Sequence, residues 1–327
     1  VLLPAWNAEA TLGAALASVQ RQSLRSWECV VVDDGSIDRT AAVAGDAARC
    51  DPRIRLVRTP HGGLVHALNV GLEHCRAPLI ARMDADDLMH RLRLQRQADA
   101  LAADASLAGV GCHVRIFPRR PMTPRLREYE AWLNGLTIAD DVKRDAYVEC
   151  PVAHPSLMMR REMADLGYCD RGWPEDYDLV LRALSAGLRI AVLPERLLAW
   201  RDRPGSLCRT SAAYDVGRFT ACKAFYLAHG YLAQTRTYVL WGYGDTGRLL
   251  RRALATHGKT PSHIVEVKPS RLGQRIHGAP VIGVSDLAAL RGHRIVVSVA
   301  RAGPRQEIRH ALAAMGFVEG SDYICAA

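Results

Sequence analysis

The chain has 327 residues, 49% apolar and 24% charged, with a formal net charge of +9. That length supports two domains and a sizeable core, and the composition excludes disorder as the ground state. No basic run is interleaved with aromatics, so a single-strand nucleic-acid groove is excluded. The charge suits an anionic membrane face or phosphorylated substrates, or reflects a codon bias towards arginine. Nine cysteines, none in a Cys-x-x-Cys pair, argue for a reducing cytosol and against a disulfide framework or zinc site. Cys29 and Cys75 fall in or beside apolar segments and read as small core residues. No apolar stretch approaches the roughly 18 to 20 residues that span a bilayer. The chain opens on Val1-Leu2-Leu3-Pro4, inside a strand and without an initiator methionine, which is what a natural start further upstream would leave.

In chain order, the pattern predicts a strand at Val1-Leu2-Leu3 and a helix over Ala10 to Gln22, with apolar residues at Leu12, Ala15, Leu16 and Val19. Next come a strand from Cys29 to Val32, a helix from Arg39 to Arg49 and a strand from Ile54 to Val57. A helix at Leu64 to His74 precedes a strand running into Asp84, and a further helix begins near Leu88 or Leu92 and ends at Ala103. Strands separated by such helices predict a doubly wound, mostly parallel α/β sheet. From Val110 to Leu207 the signal is mixed, with a Pro/Arg-rich loop at Pro118 to Pro124 and an irregular Trp173-Pro174-Glu175-Asp176 segment. The β/α pattern restarts at Thr237-Tyr238-Val239-Leu240 after a helix ending at His229-Gly230. The expected division is residues 1–230, with a nucleotide-binding half to about 110 and an acceptor half from 111, followed by a Rossmann-like α/β domain at 235–327.

Two of the predicted strands end in carboxylates, at Asp33-Asp34-Gly35-Ser36 and at Asp84-Ala85-Asp86-Asp87. Open α/β sheets bind ligands at their carboxyl edge. Carboxylates gathered there suit a hard divalent cation, which in turn holds a diphosphate. Each motif also has a plain structural reading. Asp86 or Asp87 can cap the helix that follows, and Asp33-Asp34 can form an Asx turn. Asp176 can cap a helix from Tyr177, with Asp178 and Arg182 paired at i,i+4.

Pro4-Ala5-Trp6-Asn7-Ala8-Glu9, Val32-Asp33-Asp34-Gly35-Ser36, Ala81-Arg82-Met83-Asp84-Ala85-Asp86-Asp87, His154-Pro155-Ser156 and Glu175-Asp176-Tyr177-Asp178-Leu179 together resemble family 2 glycosyltransferases of the GT-A fold. The five motifs occur in the family's order over roughly the first two thirds of the chain. The resemblance implies an inverting, metal-dependent glycosyltransferase. Its donor would be a nucleoside-diphosphate sugar of UDP type, and its acceptor a glycan or lipid-linked glycan in bacterial surface polysaccharide synthesis. By the same resemblance Asp86 is the ligand of Mn²⁺ or Mg²⁺, and Asp84 touches ribose or a metal-bound water. Asp33 and Asp34 accept from the base or ribose. Pro4, Trp6 and Glu9 form the other wall of the nucleotide pocket. Asp176 is the catalytic base, with Glu175 and His154 beside the acceptor. A lipid-linked acceptor implies peripheral contact with the inner face of the plasma membrane from the cytoplasm. Two departures stand out: Arg91 where the family often has proline, and Arg203, in Trp200-Arg201-Asp202-Arg203-Pro204, where it often has histidine. An arginine is no metal ligand, but its fork suits a diphosphate.

In the last domain, Gly242-Tyr243-Gly244-Asp245-Thr246-Gly247 follows a strand and opens a helix, the context of a dinucleotide fingerprint. Glu266 lies about 20 residues beyond, where an acidic ribose partner would sit. Gly242, Gly244, Gly247 and Glu266 are therefore candidates for NAD(P), although such a turn is also built for purely structural reasons. Leu272 to Ile282 is similar to the small domain preceding some sugar O-acyltransferases. The competing functions are a nucleotide-sugar or dinucleotide sensor without transfer activity and an NAD-dependent oxidoreductase.

Overall fold

The computed structural model describes residues 1–120 and 122–327, without the side chains of Leu207 and Cys208; Pro121, within the predicted Pro118–Pro124 loop, lies outside the described residues. The chain divides into two compact units. The first comprises Val1–Lys143, Pro151–Arg171 and Glu175–Arg209; the second comprises Arg144–Cys150, Gly172–Pro174 and Thr210–Ala327.

In the first unit, β1 (Leu2–Ala5), β2 (Cys29–Asp34) and β3 (Ile54–Thr59) form a parallel sheet with β2 between the others. The run Cys-Val-Val-Val-Asp-Asp of β2 is buried throughout, as a parallel strand covered on both faces must be. Helices Leu12–Gln20, Thr40–Cys50 and Leu64–His74 connect these strands and the next. Leu2 also bridges Arg82 in parallel, which joins this sheet to a second one. That sheet contains β4 (Leu79–Ala81), β5 (Leu88–Met89), β6 (Leu107–Phe117), β7 (Met158–Arg160) and β8 (Arg189–Arg201), in the order β4-β7-β6-β8-β5. It is mixed, because β7 runs antiparallel to β4 and β6, and β5 runs antiparallel to β8. The core gathers Leu3, Leu12, Leu16, Val31, Met83 and Val110. Cys29 and Cys75 are buried free thiols.

A helix does not begin at Leu88. Leu88 and Met89 pair with Ala199 and Leu198, and the helix starts only at Arg93. Its N-cap position, Leu92, makes no side-chain cap, so neither Asp86 nor Asp87 serves that purpose. The buried polar face of Arg93–Ala103 ties several elements together. Arg93 donates to the Arg82 carbonyl at 2.9 Å and to Gln97 at 3.0 Å. Gln97 donates to the carbonyls of Val110 and Ser156, both at 2.8 Å.

The second unit has one six-stranded sheet of β9 (Thr237–Trp241), β10 (Thr260–Val265), β11 (Arg275–Ile276), β12 (Ala279–Ile282), β13 (Ile295–Val297) and β14 (Tyr323–Cys325). Its order is β11-β12-β10-β9-β13-β14, and every pair except β11 with β12 is parallel. Helix Val216–His229 packs here, with Ala224 and Leu227 in a core with Tyr238, Leu240, Leu250 and Leu254. Buried Lys223 donates to the carbonyls of Val148 (3.1 Å) and Ala326 (2.7 Å).

Candidate active site

Three loops at the carboxyl edge of β1, β2 and β3 form a stitched rim. Asn7, held at φ 46°, donates its backbone N–H to Ser36 Oγ at 3.0 Å and accepts from the Ile37 N–H at 3.0 Å. The Ala8 N–H donates to Thr40 Oγ1 at 2.7 Å, and Glu9 accepts from the Arg39 N–H at 2.9 Å. Glu9 is thereby exposed and committed to the neighbouring loop. Pro4 is buried within β1, opposite Val32. Trp6 is 50% exposed and stacks on His61, centroid to centroid 4.7 Å at 19°.

The two carboxylates of Asp33 and Asp34 have different surroundings. Asp34 accepts from the Gly62 and Gly63 N–H groups, each at 2.9 Å, and its Oδ2 lies 2.8 Å from His61 Nδ1. It is spent on holding the third loop. Asp33 accepts from the Ser36 N–H at 3.3 Å, the Asx turn read from the sequence, and lies 3.6 Å from Arg58. Its Oδ2 is buried and accepts no hydrogen bond. Gly35, at φ 67°, sits where a Cβ would approach the His61 nitrogen to 2.5 Å, so the close passage of these loops requires glycine.

The acidic loop after β4 is lined with arginines. Asp84 pairs with Arg82, a fully buried side chain whose Nε has no hydrogen-bond partner. Asp86 Oδ2 lies 2.7 Å from Arg203 Nε. Asp87 is fully buried and accepts from the Arg201 N–H at 2.7 Å, while Arg201 Nε donates to the Asp86 carbonyl at 2.7 Å. Burial, and then the neighbouring Asp84, raise the Asp86 and Asp87 carboxyls above the usual range.

Asp176 lies in the first turn of helix Glu175–Ser185 and accepts from the Tyr177 N–H at 2.8 Å. Burial, then the adjacent Glu175, push its carboxyl up to about 8. His154 opens the turn His154–Ser156; its Nε2 lies 2.9 Å from the Tyr168 hydroxyl and its Nδ1 3.7 Å from Glu175 Oε1. Burial, then Arg82, lower its basicity well below the usual value, so the ring is neutral. Asp178 is the structural member of this segment, paired with Arg182 at 2.6 Å. Burial opposes the charge of Arg82, but Asp84, Tyr168 and Glu175 hold it protonated. Tyr168 in turn senses Arg82, Glu175, Asp176 and Asp84. The charge of Arg82, paired with Asp84, is thus felt by Glu175 and Asp176 as well.

The model of the glycosyl transferase family 2 matches residues 1–167, half of the chain. The chain belongs to glycosyl transferase family 2. Over 212 residues it is 27% identical to EpsJ, an uncharacterized glycosyltransferase of Bacillus subtilis, covering 63% of this chain and 62% of EpsJ. It thus spans slightly less than two thirds of that relative. Over 206 residues it is 30% identical to the amylovoran biosynthesis glycosyltransferase AmsE of Erwinia amylovora, covering 62% of this chain and 75% of AmsE. Its fold is similar to residues 1–349 of S. aureus TarS in complex with UDP-GlcNAc, with a TM-score of 0.55 at 18% identity over 78% of this chain and 71% of that one. The first unit of the transferase is accordingly GT-A-like, and the second is a separate α/β domain.

In that second domain packing accounts for two of the three glycines. A Cβ on Gly242 would meet the Ser298 carbonyl at 2.9 Å, and one on Gly247 would overlap the Gly242 carbonyl. Only Gly244, ahead of helix Asp245–Ala255, faces open space. The helix begins with the exposed carboxylate of Asp245, a poor neighbour for a pyrophosphate. Glu266 is paired with Arg271 at 2.9 Å. Glu266 and Arg271 thus satisfy each other. A cavity of about 510 Å³ beside Arg236, His257 and Lys259 lies at the opposite, amino edge of the sheet, and the Lys259 ammonium is occupied by the Leu232 and Thr235 carbonyls at 2.6 and 2.7 Å.

His61, Arg82 and Arg201 escaped the sequence reading of the transferase. Arg82 left one signal: it is the only charged residue between the apolar run Leu79-Ile80-Ala81 and Asp84. His61 and Arg201 meet partners 27 and 115 residues away, which no local pattern encodes.

Proposed function

We propose that this chain moves a sugar, with inversion, from a UDP-type nucleoside-diphosphate sugar to a hydroxyl of a glycan or lipid-linked acceptor in bacterial surface polysaccharide synthesis. One observation carries the reading: the buried Arg82 pairs with Asp84 and its charge also reaches Glu175 and Asp176, which supports reading a donor-binding and a proton-accepting carboxylate as parts of one site. The biosynthetic name of AmsE supports the polysaccharide setting.

Asp176 accepts the proton of the acceptor hydroxyl as that oxygen attacks the anomeric carbon. The bond from that carbon to the diphosphate oxygen breaks, and its electron pair leaves with the nucleoside diphosphate. Asp33 Oδ2, which accepts no hydrogen bond and has only Arg58 at 3.6 Å, is suited to the N–H of a uracil-type base, while Trp6 on His61 gives a flat wall beside it. Glu175 and neutral His154 orient the acceptor side.

Among the described residues no group of three His, Cys, Asp or Glu side chains forms a closed metal centre. The pair Asp84 and Asp86 nevertheless fits a cation that arrives on the donor, since Mg²⁺ is commonly held by one or two carboxylates plus substrate phosphates. Burial and then Asp84 raise Asp86, and the repulsion between the two carboxylates would be relieved by it. When bound, Mn²⁺ or Mg²⁺ supplies Lewis-acid stabilisation of the leaving diphosphate. No helix among the described residues is long and apolar enough to cross a membrane. A lipid-linked acceptor implies contact with a membrane face, which the +9 charge favours at an anionic leaflet.

The test is transfer from radiolabelled UDP-sugars to a panel of lipid-linked and free glycans. Loss of transfer in Asp176→Asn and Asp86→Ala supports the assignment, and retained transfer in both rejects it. Any transfer by the wild-type chain removes the sensor alternative.

A further inference from the structure

We infer that Arg203 is a movable counter-charge: it neutralises Asp86 in the resting site and grips the donor's diphosphate when a nucleotide sugar binds. The inference rests on the donor-site reading above and adds the side chain that meets the phosphates. The pairing of Leu88 with Ala199 and Met89 with Leu198 sets residue 201 opposite residue 86, so the segment leaving β8 runs along the acidic loop. Three side chains of that segment are held differently. Arg201 is fixed, donating to the Asp86 carbonyl at 2.7 Å and lying over the Phe117 ring at 4.4 Å. Asp202 is anchored to Arg209 at 2.6 Å. Arg203 touches Asp86 at 2.7 Å, yet its Nε makes no aligned hydrogen bond and 43% of its side chain is exposed.

The motif carboxylates thus meet two guanidinium groups of opposite character. Arg82 is enclosed and paired with Asp84, with 2% of its side chain exposed. Arg203 is nearly half exposed and meets Asp86 through a single nitrogen, on a backbone pinned by the two preceding residues. A diphosphate approaching Asp84 and Asp86 meets repulsion unless positive charge turns towards it. A guanidinium fork pairs with phosphate oxygens through two parallel bonds, a better match than its present single contact. A divalent cation and Arg203 are then alternative partners for the Asp86 carboxylate. Arg203 released from Asp86 is free for the phosphates.

The experiment is calorimetric titration of the full chain with UDP in EDTA, and separately with MnCl₂ without nucleotide. Arg203→Ala should weaken UDP binding roughly ten- to hundredfold, the size of one charge-assisted contact. The same substitution should strengthen Mn²⁺ binding, because Asp86 loses its competitor. Arg203→Lys should recover part of the UDP affinity. Opposed changes for the two ligands are not what a merely structural arginine gives. The inference is overturned if Arg203→Ala leaves both affinities within about twofold, or weakens both together. A wild-type chain that binds no UDP, GDP or dTDP with or without Mn²⁺ rejects the donor site itself, a result distinct from a normal UDP affinity in Arg203→Ala.

Discussion

Asp176 has conflicting demands placed on it. As a base it must be ionised, but burial and Glu175 favour its protonated form up to about pH 8. For transfer, kcat/KM should rise with pH through that region, and a pH–rate profile checks it. For stability the sign is opposite: a carboxyl raised above its unfolded value stabilises the fold while protonated, and that contribution is lost as pH rises through about 8. Asp176→Asn should therefore reduce transfer about 10²- to 10⁴-fold while raising stability by about 1 kcal/mol at pH 8, measured by urea unfolding. The adjacent carboxylates Asp33 and Asp34 divide differently. Asp34→Ala leaves the Gly62 and Gly63 amides without their acceptor and should cost about 2 kcal/mol of stability. Asp33→Asn should leave stability nearly unchanged and weaken UDP binding, which titration calorimetry separates from the first effect.

At the scale of elements, the helix Arg93–Ala103 works as a brace. Gln97 satisfies carbonyls in β6 and in the His154 turn, and Arg93 satisfies the carbonyl of Arg82. Gln97→Leu strands two buried acceptors and should destabilise the first unit by about 2–4 kcal/mol, read by denaturant midpoint. Much of this level was legible in the sequence. The strand at Cys29 and the helix Leu64–His74 follow from apolar runs and period, and the strand ends set Asp33-Asp34 after β2 and Asp84 and Asp86 after β4. The mixed sheet was not legible. Leu88–Met89 looks helical by itself and becomes a strand because β8, more than a hundred residues later, supplies its partners. Separation in sequence, 115 residues for Arg201 and 27 for His61, likewise concealed those two side chains. The glycines of the second unit show the converse: a clear local motif whose cause is close packing against Ser298 and Gly242.

For the whole molecule, separate apolar cores in the two units imply separate responses to ligand. UDP with Mn²⁺ at about 100 times its dissociation constant should add about 2.7 kcal/mol to the unit that binds it. Differential scanning calorimetry should show that increment in one transition, with the other unmoved. The stitched rim bears on how that binding is achieved. Asn7, Glu9 and Asp34 already fasten each loop to its neighbour before any nucleotide arrives. Ordering these loops is thus a cost met during folding, and little conformational entropy remains to be lost on association. The donor should meet a mould rather than a closing hand, and its affinity should be governed by how fast it leaves.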